Sequence, residues 1–124
     1  MKFTTLNRMI VTKTFHYRNY EIFKSKLEEE AYNLLKKRFQ HEIIIYEWAV
    51  PGNEKMSIDF FVPQRLIAIE CDGEQHRKFN KFFHGTINNF IAQQKRDRMK
   101  DDFCRLNNIK MLRIVNISGL GVLK

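Results

Sequence analysis

The chain has 124 residues, 44% of them hydrophobic and 29% charged, with eleven Phe. That is the length of one domain with a core of its own, and so many aromatic residues exclude a disordered chain. Lys and Arg number 22 against 14 Asp and Glu, and the net charge of +8 points to a polyanionic partner, because phosphate neutralisation dominates nucleic-acid affinity.

Residues 1–24 read either as short strands, at Met9-Ile10-Val11 and Tyr20-Glu21-Ile22-Phe23, or as a basic N-terminal arm folded over the core. The start Met1-Lys2-Phe3-Thr4-Thr5 is not an apolar leader, and every apolar run is too short for a membrane span, so no membrane association is expected. Ser25-Lys26-Leu27-Glu28 is a capping-box signature and predicts a helix towards Phe39, with Leu27, Ala31, Leu34 and Leu35 at helical spacing. Glu28 shares a face with Ala31, Tyr32 and Leu35, which places it at the edge of the buried side.

Ile43-Ile44-Ile45-Tyr46 predicts a buried strand, ended by the turn Pro51-Gly52-Asn53. Residues 57–62 predict a second strand, Pro63-Gln64 a turn, and residues 66–72 a third strand stopped by Gly73. Residues 77–85 form a basic, aromatic loop. Thr86 caps a long helix to about Leu106, stopped by Asn107-Asn108, and residues 109–115 predict the last strand. Helix, three hairpin-linked strands, helix and strand make a mixed α/β domain spanning residues 1–124. No repeat, linker or low-complexity segment divides it.

The chemistry concentrates in Ile58-Asp59-Phe60-Phe61-Val62-Pro63 and Leu66-Ile67-Ala68-Ile69-Glu70-Cys71-Asp72-Gly73-Glu74-Gln75-His76. Alternation along a strand projects Glu70 and Asp72 from one face and Ile69 and Cys71 from the other. Asp59, on the preceding strand, falls beside Glu70. Carboxylates so gathered repel unless a cation lies between them, and an oxygen-rich site suits Mg²⁺ or Mn²⁺. Such an ion polarises a phosphodiester and activates water, and His76 has the chemistry of a general acid or base near neutral pH. Each residue also has an ordinary reading: Asp72-Gly73 is a common turn pair, and Asp59 a surface strand residue. Glu70 inside an apolar run is harder to explain so, because an unpaired buried carboxylate is costly.

The pattern Asp-Phe, Pro turn, then Leu-x-x-x-Glu-x-Asp-Gly-x-x-His resembles the PD-(D/E)XK, or restriction-endonuclease-like, superfamily. It is similar there to the very-short-patch mismatch-repair endonucleases and to phage homing endonucleases with an E-D-x-H-D set. The segment Gln93-Gln94-Lys95-Arg96-Asp97-Arg98-Met99-Lys100 extends the likeness, which covers about residues 25–114. The resemblance implies a mixed central sheet flanked by helices, and Mg²⁺-dependent hydrolysis of DNA in the cytoplasm of a bacterial or phage-infected cell. It implies a metal held by Asp59 and Glu70 with the Cys71 carbonyl, Asp72 assisting, and Glu28, His76 and Asp97 completing the catalytic set.

Two departures stand out. The family's motif lysine is absent and Asp72 fills its slot, so proton transfer falls to His76, with Lys100 from the next helix as the fallback. A zinc site from Cys71, His76, His84 and Cys104 lacks paired-ligand spacing, and the two Cys read as small core residues. DNA contact is expected from Arg77, Lys78, Lys81, Lys95, Arg96, Arg98 and Lys100. Phe79, Phe82 and Phe83 either stack on bases or anchor their own loop. A Holliday-junction resolvase and a non-catalytic DNA-binding module with a degenerate nuclease core remain open, as does a homodimer.

Overall fold

The computed structural model describes residues 1–72 and 85–123. Lys2–Thr4 (β1) and Ile10–Thr12 (β2) pair as an antiparallel hairpin. The chain continues through helix α1 (Lys26–Arg38) and strands β3 (Ile45–Val50), β4 (Asn53–Val62) and β5 (Ile67–Cys71). Helix α2 (Ile87–Leu106), strand β6 (Lys110–Ile114) and a 3₁₀ helix (Ile117–Leu123) follow. The four-stranded sheet has the order β3-β4-β5-β6, antiparallel except that β6 runs parallel to β5. A parallel neighbour needs a long crossover, and α2 lies within it. The fold is mixed α/β with helices on both faces of the sheet.

Strand alternation divides the core in two. On one face Phe60, Val62, Ile69 and Ile114 meet Ala31, Tyr32, Leu35 and Phe39 of α1 and Leu120 and Leu123 of the 3₁₀ helix. On the other, Trp48, Ile58, Phe61 and Ala68 meet Phe103 and Cys104 of α2 and Phe3 of β1. Trp48 and Phe61 stack across β3 and β4 with centroids 3.9 Å apart and rings 9° from parallel.

The N-terminal segment contains one of the two expected strands, since Ile10–Thr12 is β2 whereas residues 20–23 form no strand. Its first part is the β1–β2 hairpin, and the rest packs aromatic side chains on both core clusters, Phe15 against Trp48 and Phe61, Tyr20 and Phe23 against Tyr32 and Tyr46.

Ser25 caps α1 as expected, its Oγ accepting from Glu28 N at 3.1 Å. The reciprocal half of the box is absent, since the Glu28 carboxylate accepts from Lys24 N and not from Ser25. The expected strand at Ile43 begins at Ile45, and the strand expected at Ser57 begins at Asn53. Asn53, Glu54 and Lys55 lack apolar alternation because this part of the hairpin points to solvent; ladder hydrogen bonds, not burial, make it a strand. Gly52, at φ +85° after Pro51, makes the tight turn, and a side chain there would collide with Thr5. The tail after β6, uninformative as sequence, buries Leu120 and Leu123.

Candidate active site

Asp59 sits where the sheet's regularity fails. Trp48 and Ile58 are paired partners facing the α2 side, whereas Tyr46 and Phe60, also paired, face the α1 side. Residues two apart on a strand should share a face. The switch falls at Glu47 and Asp59, and Glu47 has φ +53°, rare for a residue with a side chain. The β4–β5 ladder runs to the Phe60–Ile69 pair, and one further step in that register sets Asp59 against Glu70. Asp59 Oδ2 instead accepts from Cys71 N at 2.8 Å, so the carboxylate satisfies the backbone where the ladder ends.

Glu70 is 3% exposed on β5. Its neighbours Ile69 and Cys71 pack with the α1-side core and Ala68 with the other, so Glu70 points towards α2, as the alternation of the sequence implied. There it meets Lys100, whose Nζ lies 3.2 Å from Glu70 Oε1 with only 14% of the lysine side chain exposed. Lys100 was expected among the DNA contacts and also as the fallback for proton transfer in the site; the structure turns it inward onto Glu70.

Glu28, at 7% exposure, is held by Tyr46 Oη at 2.7 Å and Lys24 N at 3.0 Å. Burial is the main cause that holds the Asp59 carboxyl above its ordinary range; the Cys71 N–H opposes it, and the negative charge of Glu28 adds to it. Burial raises Glu70 as well, with Asp59 the strongest repelling charge and Lys100 the opposing one. The Cys71 thiol is also pushed up by burial and then by Asp59, which keeps it neutral and suits a half-buried packing residue.

Asp72, expected to assist at the metal, meets a guanidinium: both its oxygens lie 3.2 Å from Arg113 Nη1. Asp97 is drawn into the same cluster, with Arg113 Nη1 at 3.8 Å from its Oδ1 and Nη2 donating to its backbone carbonyl at 2.9 Å. Lys95, Arg96 and Arg98 are exposed on α2, as a DNA-contacting role requires. His76, Arg77, Lys78 and Lys81 lie outside the described residues, as do Phe79, Phe82, Phe83 and His84.

Among the described residues no group of three or more His, Cys, Asp and Glu side chains converges as a metal site. The Asp59–Glu70 pair nevertheless fits Mg²⁺. Each carboxylate keeps one oxygen that accepts no hydrogen bond among the described residues. Both resist ionisation without a nearby cation, and Mg²⁺ takes one or two carboxylates and completes its shell with water and phosphate oxygens. Mn²⁺ accepts the same oxygen donors.

Arg113 and Tyr46 were missed by sequence reasoning. The signal for Arg113 was available: a charge inside Met111-Leu112-Arg113-Ile114 demands a partner by the same logic that singled out Glu70, its register neighbour across β5 and β6. Tyr46 had no signal, because only tertiary contact separates a buried phenol that holds a carboxylate from one that fills space.

No protein-family model matches the chain, and no solved structure matches it. Two curated viral proteins do. The chain is 35% identical over 63 residues to uncharacterized protein 307L of Invertebrate iridescent virus 6, covering 51% of this chain and 32% of that protein. It is 32% identical over 75 residues to uncharacterized protein 033L of Invertebrate iridescent virus 3, covering 58% of this chain and 38% of that protein. The chain thus spans about a third of the length of the curated relatives it matches. Among the described residues no helix is long and apolar enough to cross a membrane.

Proposed function

We propose that this chain is a metal-dependent DNA endonuclease with a restriction-endonuclease-like core, of the very-short-patch or homing type. The observation that carries the reading is the pair of half-buried Asp59 and buried Glu70 at the end of the β4–β5 ladder, with Lys100 delivered onto Glu70 from α2. The order α1, β3, β4, β5, α2, β6 supports it, since that is the mixed sheet flanked by helices which the sequence resemblance implies. Lys100, 3.2 Å from Glu70 Oε1, supports assigning it the duty of the motif lysine whose slot Asp72 fills.

In this reading Asp59 and Glu70 hold Mg²⁺ or Mn²⁺. The ion, when bound, supplies Lewis-acid polarisation of the scissile phosphodiester and activation of water. Water attacks phosphorus, the bond to the leaving oxygen breaks, and that oxygen takes up a proton. Lys100 holds Glu70 in place and sets a positive charge beside the reacting phosphate, where negative charge accumulates. Glu28, fixed by Tyr46, sets a further negative charge near Asp59 and so completes the acidic set. His76, outside the described residues, is the proton-transfer candidate in the sequence after β5. Exposed Lys95, Arg96 and Arg98 on α2 carry the phosphate contacts that hold DNA over the site.

The test is incubation of the chain with supercoiled plasmid, with and without Mg²⁺. Metal-dependent nicking or linearisation is expected, and its loss in Glu70→Ala ties it to this site. Binding without cutting by wild-type protein under both Mg²⁺ and Mn²⁺ would leave a DNA-binding module and overturn the enzyme.

A further inference from the structure

We infer that Arg113 is a positioning residue, whose guanidinium clamps one turn of α2 to the end of β5 and thereby holds Lys100 against Glu70. Its importance for catalysis rests on the nuclease reading; the clamp itself does not.

Arg113 lies on β6, in register with Glu70 on β5. Its donors divide between two elements. Nη1 faces both oxygens of Asp72, just past the end of β5, at 3.2 Å. Nη2 donates to Asp101 Oδ1 at 3.0 Å and to the Asp97 backbone carbonyl at 2.9 Å, and Nε donates to Asp101 Oδ1 at 3.3 Å. The two α2 partners, Asp97 and Asp101, bracket Lys100 within a single turn of helix. A rigid fork with five donors can serve a carboxylate on the sheet and a helical turn at once; the point charge of a lysine cannot.

The consequence follows from reach. Lys100 spans from α2 to Glu70 on a flexible four-carbon stem, so its ammonium is only as well placed as the turn that carries it. Alternative anchors of that turn are few: Met99 packs on the α2-side core, and Phe103 and Cys104 are buried one turn further on. Among the described residues, Arg113 ties Asp97 and Asp101 of that turn to the sheet through hydrogen bonds. A purely neutralising role for Arg113, offsetting three carboxylates, would need charge but no fork.

The two roles separate by measuring Lys100 directly. Reductive methylation of the folded full-length chain with formaldehyde and a borane, read by mass spectrometry, should modify Lys100 slowly in the wild type. Arg113→Gln, and also Arg113→Lys, which keeps the charge, should speed Lys100 modification several-fold and leave the exposed Lys95 unchanged. Should Arg113→Gln not fold, Asp101→Ala removes one jaw of the clamp and should speed Lys100 in the same sense. In plasmid cleavage the Arg113→Lys variant should lose ~10-fold or more in kcat at unchanged KM for DNA, and lose little further when combined with Lys100→Ala. Unchanged Lys100 protection in a folded Arg113→Lys variant overturns the inference, whether or not the chain cuts DNA. Faster Lys100 labelling in a chain that cuts no DNA upholds the clamp and removes only the nuclease reading.

Discussion

Lys100 Nζ lies 3.2 Å from Glu70 Oε1, and the two residues come from different layers, a helix and the sheet beneath it. Burial pushes the Glu70 carboxyl up and a nearby cation offsets that, and the residue two past it is Asp72 where a lysine was wanted. The lysine comes instead from thirty residues on, through a helix that Arg113 fastens to the sheet. If the chain is a nuclease, Lys100→Ala should lose ~100-fold or more of its cleavage rate, the scale of a general acid–base or charge-stabilising group, while DNA affinity stays near wild type. His76→Ala run in parallel divides the labour. Normal cutting by Lys100→Ala and none by His76→Ala would return the proton-transfer duty to the histidine.

Asp59 gives a prediction about stability and pH. Burial and the neighbouring carboxylates raise its folded-state value to about 6, and Glu70 to about 7. The folded state therefore binds more protons than the unfolded state between about pH 4 and pH 7. The sign is the reverse of the usual carboxylate case: these two groups make the metal-free protein gain stability as pH falls through that window. Asp59→Asn removes the charge and keeps an oxygen for Cys71 N. It should stabilise the metal-free protein by about 1–3 kcal/mol at pH 7.5, with the gain fading towards pH 4. Urea unfolding at the two pH values checks this; a destabilised Asp59→Asn at pH 7.5 would remove the electrostatic strain from the account.

Tyr46 holds Glu28 through a 2.7 Å hydrogen bond. Tyr46→Phe keeps the ring among Tyr20, Phe23 and Phe60 and deletes only the hydroxyl. Stability should fall by about 1 kcal/mol, the ordinary worth of such a bond. Cleavage should fall several-fold, because Glu28 is then fixed by the Lys24 N–H alone. Wild-type cleavage by a Tyr46→Phe protein would make Glu28 a helix-capping residue and nothing more.

Replacing Lys95, Arg96 and Arg98 together by Ala tests the DNA surface. Each phosphate contact contributes about 0.9 to the slope of log affinity against log salt, so the triple variant should flatten that slope by up to about 2–3. Fluorescence anisotropy on a duplex at several salt concentrations measures it. An unchanged slope would move the DNA to another face.

Much of this site was legible because its residues break local rules. Glu70 interrupts an apolar strand, Asp59 stands between Ile58 and the apolar run Phe60-Phe61-Val62, and the Pro turn fixes them on neighbouring strands. The same alternation placed Glu70 opposite Ile69 and Cys71, and helical spacing placed Glu28 beside Ala31, Tyr32 and Leu35, all as found. What could not be read depends on which side chain reaches across space. Asp72 looked like a metal ligand on strand parity alone, and parity says nothing of Arg113 approaching from β6. Lys100 was read both as a DNA contact and as the fallback lysine from the next helix, and only the packing of α2 against β5 shows that it turns inward onto Glu70. The β3–β4 hairpin extends to Asn53 through polar residues that carry no burial pattern, so its length was invisible to periodicity.

The most direct measurement is cleavage of a labelled duplex under single-turnover conditions by wild-type protein and by Asp59→Ala, with DNA affinity measured on the same preparations. The account predicts that wild type cuts only when Mg²⁺ or Mn²⁺ is added, and that Asp59→Ala binds DNA as tightly and does not cut. Equal cutting by the two proteins, or cutting that persists in excess chelator, would contradict it.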